Sequence, residues 1–121
     1  MRRIRLLSLP DSRLSRDDPM WEANRVDYRA TIEQAIRIPL DRQSGATIDE
    51  MRKGIRILDA LDASIGDVVQ LEDADWEHLK QKVERMPWAV VDRRFIQFYD
   101  DIMGATESPR DPERIDGVAS A

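Results

Sequence analysis

The segment 47–63, TIDEMRKGIRILDALDA, decides the fold class of this 121-residue chain. Thr47 is followed three residues later by Glu50, which is the capping-box pattern that begins a helix. The apolar residues behind it recur at helical spacing and form one broad stripe: Ile48, Met51, Ile55 and Leu58, widened by Ile57 and Leu61. Gly54 costs a helix about 1 kcal/mol relative to alanine. Its place inside this pattern predicts close packing against another backbone, and the helix should end near Ala63.

Three further segments have the periodicity of amphipathic helices, and they lie at about 27–37, 73–85 and 93–103. Pro39 closes the first and Pro87 closes the second, because proline cannot continue a helix. Asp92 is placed to cap the start of the third helix, and Gly104 is placed to end it. The sequence therefore predicts four helices.

Two short segments have the character of strands. Residues 2–9 alternate loosely between apolar and polar side chains, and residues 67–71 are β-branched and flanked by turn formers. Pairing of residues 4–9 with 67–71 gives a ribbon that needs helices to cover it. We expect an α+β fold, with about four helices packed on a two-stranded β-ribbon, in a single domain at 1–104. Residues 105–121 contain two prolines and almost no large apolar side chain, which predicts a disordered tail.

The distribution of charge argues against a nucleic acid as the main partner. The formal net charge is −5; residues 1–42 carry 9 basic and 7 acidic side chains, whereas residues 43–121 carry 10 and 17. Binding to a phosphate backbone needs clustered cations, and the second part of the chain has an acidic excess. Arg2, Arg3 and Arg5 leave a weaker DNA-binding alternative open, beside the interpretation that they protect an edge strand from aggregation.

The sequence shows neither a membrane-spanning segment nor a secretion signal. No window approaches the roughly 20 apolar residues that a membrane span needs. The apolar run Ile4–Leu9 is interrupted by Arg5 and stopped by Pro10, so it is too short for the apolar part of a signal peptide. With no cysteine there is no disulfide and no sulfur-ligated zinc. We expect a soluble, unprocessed protein without membrane contact.

No arrangement of residues in the sequence points to catalysis, a metal or a cofactor. His78 is the single histidine, and Asp75 could orient it as a general base, but no nucleophile accompanies it. We expect His78 to be exposed on its helix, with Asp75 and Lys82 as surface charges. Asp73 and Glu77 do not converge with Asp75, because this spacing spreads side chains around a helix. No glycine-rich phosphate loop occurs. The sequence predicts a protein that is not an enzyme, with no metal and no cofactor.

Trp88 lies in the apolar connection PWAVV, residues 87–91, between two predicted helices. Most aromatic residues of a small domain belong to its core, and Trp88 could do so too. An exposed tryptophan in such a connection is also a typical binding anchor. We therefore select Trp88 as a candidate partner-binding residue, together with Asp92, Arg93 and Arg94 at the start of the last helix.

The order of these segments carries a resemblance. The strand RIRLLSL at 3–9 precedes a helix that ends in IRIPL, and the helix of TIDEMRKGIRILDAL precedes the run VVQLEDADWEHLKQKV. This order resembles small uncharacterised proteins of tailed bacteriophages and prophages. The match is best over Val69–Val83 and looser over 27–104, while segments 10–26 and 105–121 depart from it. The resemblance implies a phage or prophage origin with a role in assembly or host interaction, and it assigns no residue a role.

These observations favour a non-catalytic protein that binds other proteins. The resemblance implies a phage assembly, tail or head–tail accessory protein, in the virion or the host cytoplasm, which could also form a homo-oligomer. The alternative is an acidic phage regulator that inhibits a host enzyme or defence complex by occupying a basic groove.

Overall fold

The computed structural model describes residues 1–105 of the chain. This part contains four helices and four short strands, in the order β1 (Arg2–Arg5), β2 (Ser8–Leu9), β3 (Val26–Asp27), α1 (Tyr28–Arg37), α2 (Ile48–Asp62), β4 (Val68–Leu71), α3 (Asp73–Glu84) and α4 (Arg93–Met103). The α+β prediction is confirmed, and each helix agrees with its predicted limits to within one residue. The predicted tail lies outside the described residues except for Ala105, which packs against the core.

The predicted ribbon is present, but it is shorter than expected. Strand β1 pairs antiparallel with β4, and Ile4 lies opposite Val69, with both side chains in the core. The first strand ends at Arg5 instead of continuing to Leu9. Strand β2 pairs with β3 in a second antiparallel sheet, where Leu9 lies opposite Val26. The sequence did not predict this sheet, because a strand of two residues is too short to show alternation.

Helix α2 packs through only one edge of the broad stripe that the sequence predicted, the edge that carries Ile57 and Leu61. Its buried residues are Gly54, Ile57 and Leu61. The exposed fractions of the three leading residues of the predicted stripe are high: Ile48 62%, Met51 52% and Ile55 53%. The prediction of close packing at Gly54 is confirmed, since a Cβ atom there would lie 3.0 Å from Cγ2 of Ile36 in α1. The glycine lets α1 approach this side, which turns the other apolar side of α2 outward.

Helix α3 lies at the centre of the helical layer. It contacts α1, α2, α4 and β4, so it is covered on more than one side. Its predicted apolar face is buried: Trp76, Leu79 and Val83. The expectation that His78 is exposed, with Asp75 and Lys82 as surface charges, is wrong, because all three are buried in α3 as well.

Two aromatic residues from other helices, Tyr28 and Trp76, hold α4 on the rest of the molecule. The rings of Tyr28 and Phe98 meet edge to face, with 5.0 Å between centroids and an interplanar angle of 84°. The indole Nε1–H of Trp76 donates a hydrogen bond to the carbonyl oxygen of Ile102 at 2.9 Å. The Tyr28 hydroxyl also donates to Asp101 at 2.5 Å. Helix α4 is thus attached through one face, and the opposite face is free.

Phe98→Ala and Phe95→Ala form a matched pair that tests this orientation of α4. Phe98 is fully buried, so its loss should lower the free energy of unfolding by about 3–5 kcal/mol. Phe95 is half-buried, so Phe95→Ala should cost clearly less. Urea denaturation of the two variants measures both free energies of unfolding. Equal losses would contradict the orientation of α4 in which Phe98 faces the core.

Candidate partner-binding surface

Six apolar and aromatic side chains meet at the surface where the connection after α3 joins α4. We call them the Trp88 surface: Trp88, Val90, Val91, Phe95, Ile96 and Tyr99. They line a shallow groove of about 330 Å³. The side chain of Val91 is fully exposed, and more than half of Val90 and Ile96 is exposed. Apolar side chains that gather in this way on a protein surface mark an interaction site more often than scattered ones do.

Two aromatic contacts hold the Trp88 side chain in place at this surface. Its ring stacks on Phe95, with 4.7 Å between centroids and an interplanar angle of 28°. Its edge also meets the buried ring of Phe98, with centroids 6.1 Å apart. Such aromatic pairs contribute about 0.5–1.5 kcal/mol beyond the area they bury. Trp88 therefore packs against the core on one side while its remaining surface lines the groove.

Arg94 links the start of α4 to the segments that contain Leu9 and Asn24. Its guanidinium donates hydrogen bonds to Asp92 at 2.7 Å and to the carbonyl oxygens of Leu9 at 3.1 Å and Asn24 at 2.6 Å. Asp92 caps α4 as predicted, because its carboxylate accepts from the Arg94 backbone N–H at 2.9 Å. The hydrogen bonds from Arg94 lower the pKa of the Asp92 carboxyl below its usual value. Both residues thus make contacts within the chain, and they fix β2 against α4.

A second acidic residue with the same spacing to an arginine lies beside this cluster. The buried carboxylate of Asp11 accepts two hydrogen bonds from the Arg13 guanidinium, at 3.0 and 2.9 Å, and Arg94 approaches it to 3.9 Å. The hydrogen bonds from Arg13 hold the pKa of Asp11 far below its usual range. Asp11-Ser12-Arg13 and Asp92-Arg93-Arg94 share one Asp-x-Arg pattern. The same pattern also occurs at Asp27-Tyr28-Arg29, where Arg29 instead binds Leu61 and Ser64, so the pattern alone could not have identified this cluster.

The four predicted site residues are neighbours, but they differ in accessibility. Trp88 and Asp92 line the same groove, and Arg93 is exposed beside it at the start of α4. Arg94 is mostly buried in the cluster described above. No pattern in the sequence singles out Val90, Val91 or Ile96 as site residues. Their exposure depends on how the connection lies on α4, and no local pattern reports that.

A buried ion pair joins three helices on another side of the molecule. Lys82 is 3% exposed, and its ammonium donates to Glu50 at 2.5 Å. It also donates to the carbonyl oxygens of Ile36 at 3.2 Å and Ile38 at 2.5 Å, at the end of α1. The Glu50 carboxylate accepts a further hydrogen bond from the Leu40 backbone N–H at 2.9 Å. Burial raises the pKa of Glu50, but the hydrogen bonds from Lys82 and Leu40 outweigh it, and the net shift is downward.

The predicted capping box is therefore present in one direction. Oγ1 of Thr47 accepts a hydrogen bond from the Glu50 backbone N–H at 3.1 Å. The Glu50 carboxylate, which the pattern sends back to the Thr47 N–H, instead binds Lys82. The capping-box pattern thus predicted the start of α2 correctly. It could not predict that the Glu50 side chain would bind Lys82, a residue distant in the sequence.

His78 lies next to this ion pair with its Nε2 atom buried and without a hydrogen-bond partner. Burial lowers the pKa of the imidazole, and the positive charges of Lys82 and Lys53 lower it further, against the opposite effect of Glu50 and Asp75. The lowered pKa favours the neutral imidazole.

Over residues 1–105, no cluster of three or more histidine, aspartate or glutamate side chains has an arrangement that could bind a metal ion. No helix in the same range is both long enough and apolar enough to cross a bilayer. The chain matches no protein-family model, no curated protein and no solved structure. A functional proposal for this chain therefore rests on its own sequence and surfaces.

Lys82→Met should lower the free energy of unfolding by about 3–5 kcal/mol, because it leaves the Glu50 carboxylate buried without its counter-charge. The double variant Glu50→Leu/Lys82→Met removes both charges. The double variant should lose less unfolding free energy than the losses of Glu50→Leu and Lys82→Met added together, and the difference should be about 0.5–3 kcal/mol. Chemical denaturation of all four proteins completes the cycle, and strict additivity would show that the two groups do not interact.

His78→Leu should flatten the pH dependence of stability on the acid side of neutrality. The folded pKa of His78 is lowered, so the unfolded chain takes up a proton first as the pH falls through about 6.5. The wild type should therefore lose stability there, by at most about 1.4 kcal/mol per pH unit. Melting curves between pH 7 and 5 measure the slope. Identical slopes for the two proteins would mean that His78 titrates normally in the fold.

Proposed function

We propose that this protein is non-catalytic and acts by binding another protein through the Trp88 surface. The observation that carries this proposal is the exposure of Val90, Val91 and Ile96 around a stacked tryptophan. Binding energy at protein interfaces concentrates on a few large side chains, tryptophan foremost, which neighbouring contacts shield from water. A half-buried Trp88 ringed by exposed aliphatic residues has this composition.

The chemistry of the rim indicates the kind of partner. Arg93 is exposed beside the groove, and within residues 1–105 it takes part in no ion pair, whereas Arg13 and Arg94 are paired with Asp11 and Asp92. An apolar segment flanked by acidic residues would fill the groove and face the Arg93 cation. A groove of about 330 Å³ accommodates a few side chains of such a segment, not a folded domain. Rim charges of this kind contribute to orientation and association rate more than to affinity.

We propose a structural protein of a tailed phage particle as the source of that segment. The support is the resemblance in segment order, best over Val69–Val83, to small proteins of tailed phages and prophages. An accessory protein of assembly, of the tail or of the head–tail junction binds other virion proteins in fixed copy number. A tryptophan that is held in place by stacking on Phe95, and surrounded by exposed aliphatic side chains, is suited to such binding.

Val91→Glu tests the proposal, with Ile65→Glu as its matched control. Both positions carry exposed β-branched side chains, and only Val91 belongs to the Trp88 surface. Each variant should keep its stability within about 0.5 kcal/mol of the wild type, because neither side chain is buried. Particles purified from prophage-induced host cells should contain the wild type and the control in the same fixed copy number. We expect Val91→Glu to lower that copy number by about tenfold or more.

Two outcomes would contradict the proposal. One is the absence of the wild-type chain from purified particles. The other is retention of Val91→Glu at the wild-type copy number. A host complex that binds the chain at low salt and releases it at moderate salt would instead support the acidic-regulator hypothesis, since exposed charge contacts weaken steeply with ionic strength.

A further inference from the structure

The outward face of α2 has the spacing of a coiled-coil seam. Ile48, Met51, Ile55 and Leu58 are separated by three, four and three residues, which is the alternation of heptad a and d positions. The helix meets the core of its own chain through another face, formed by Gly54, Ile57 and Leu61. Ile48, Met51 and Ile55 are therefore apolar surface that folding leaves uncovered, while Leu58 is partly buried against the core. Asp62, at the next a position, ends the seam.

Two charged residues flank the seam along one edge. Arg52 and Asp59 both follow a d residue, so they occupy successive e positions seven residues apart on the same side of α2. Both are exposed, and within residues 1–105 neither side chain takes part in an ion pair. In an antiparallel pair of helices the e edge of one faces the e edge of the other. In a parallel pair it would face the g positions, Gly54 and Leu61, which are buried against their own chain.

We propose that two copies of this chain associate through α2, antiparallel, with Arg52 of each copy opposite Asp59 of the other. The arrangement is isologous, so each charge pair occurs twice about a two-fold axis. In this register Ile55 of one copy packs against Leu58 of the other on both sides of the axis. The apolar groove of about 430 Å³ between α1 and α2 borders the seam at Met51 and Leu58.

Charge selects this register over its nearest competitor. A shift by one heptad, which is about two helical turns, would stack Ile48 on Leu58 and Met51 on Ile55, which aligns more aliphatic pairs. It would also set the two Arg52 side chains opposite each other, and like charges across an interface are unfavourable. This association goes beyond the proposed function, because it uses a different surface and needs no partner other than the chain itself.

The dimer should be weak. A single helix of 15 residues is about 22 Å long and buries less than the area of a standard interface. We expect a dissociation constant on the order of 10 µM or weaker. Sedimentation equilibrium of the full chain from about 10 to 500 µM covers this range. A chain that is monomeric throughout would overturn the proposal and leave the seam for a different occupant.

Charge reversal tests which residues meet. Arg52→Glu and Asp59→Arg should each raise the dissociation constant about tenfold or more, because each places like charges together twice. The double variant Arg52→Glu/Asp59→Arg should return to within about threefold of the wild type, since it restores both pairs in reversed order. Arg16→Glu, an equal charge change in an exposed loop, serves as the control. A double variant no tighter than the single ones would overturn the pairing.

Cross-linking tests the orientation independently, and the absence of native cysteine makes it clean. In the proposed register the two copies of residue 55 are about 4–5 Å apart along the helix axis, whereas the two copies of residue 48 are about 25 Å apart. A short bifunctional maleimide should therefore join Ile55→Cys into a covalent dimer and leave Ile48→Cys monomeric. Equal cross-linking at both positions would indicate a parallel pair and overturn the antiparallel arrangement. Val91→Glu, which disables the Trp88 surface, should leave dimerisation unchanged, so the two proposals fail separately.

Discussion

The buried ammonium of Lys82 determines how three of the four helices meet. It binds the carboxylate at the start of α2 and two carbonyl oxygens at the end of α1, while its own backbone belongs to α3. The last carbonyls of a helix have no partner within the helix, and burial without one is costly. Lys82 supplies that partner. It thereby allows the end of α1 to lie inside the molecule, where Ile36 packs against Gly54 of α2.

The rotation of α2 about its axis follows from this contact. With Gly54 against α1 and Glu50 directed to Lys82, the side of the helix that carries Ile57 and Leu61 faces the core. The side that carries Ile48, Met51 and Ile55 must face solvent. Both sides are apolar, so the hydrophobic pattern alone could not decide between them. A glycine on one side marked the true contact, because a Cβ there would crowd the Ile36 side chain of α1 at 3.0 Å.

Local signals in the sequence were sufficient for the four helices and for the β1–β4 ribbon, but not for the β2–β3 sheet. Threonine and aspartate caps, proline stops and apolar periodicity predicted the four helices, and the β-branched run at 67–71 predicted a strand of the ribbon. These signals act over a few residues and do not depend on the fold. The burial of His78 and Lys82 depends instead on α3 being enclosed by several elements, which no window of sequence contains. The same limit applies to Val91, whose exposure is set by the direction in which the chain leaves α3.

Dimerisation through α2 would strengthen partner binding through the Trp88 surface. Association through α2 makes a two-fold dimer, and every dimer then carries two copies of the Trp88 surface. A small groove lined by a few side chains binds one short segment weakly. When one copy of a dimer is bound to a particle with repeated subunits, however, the second copy meets its own segment at an effective concentration that can reach millimolar. Avidity of this kind can exceed the single-site affinity by about 10²–10⁴ without a new contact, provided that the geometry allows both sites to bind. A weak dimer with a weak anchor would thus bind an ordered array of partners far more strongly than one free partner, which is the discrimination that an assembly protein requires.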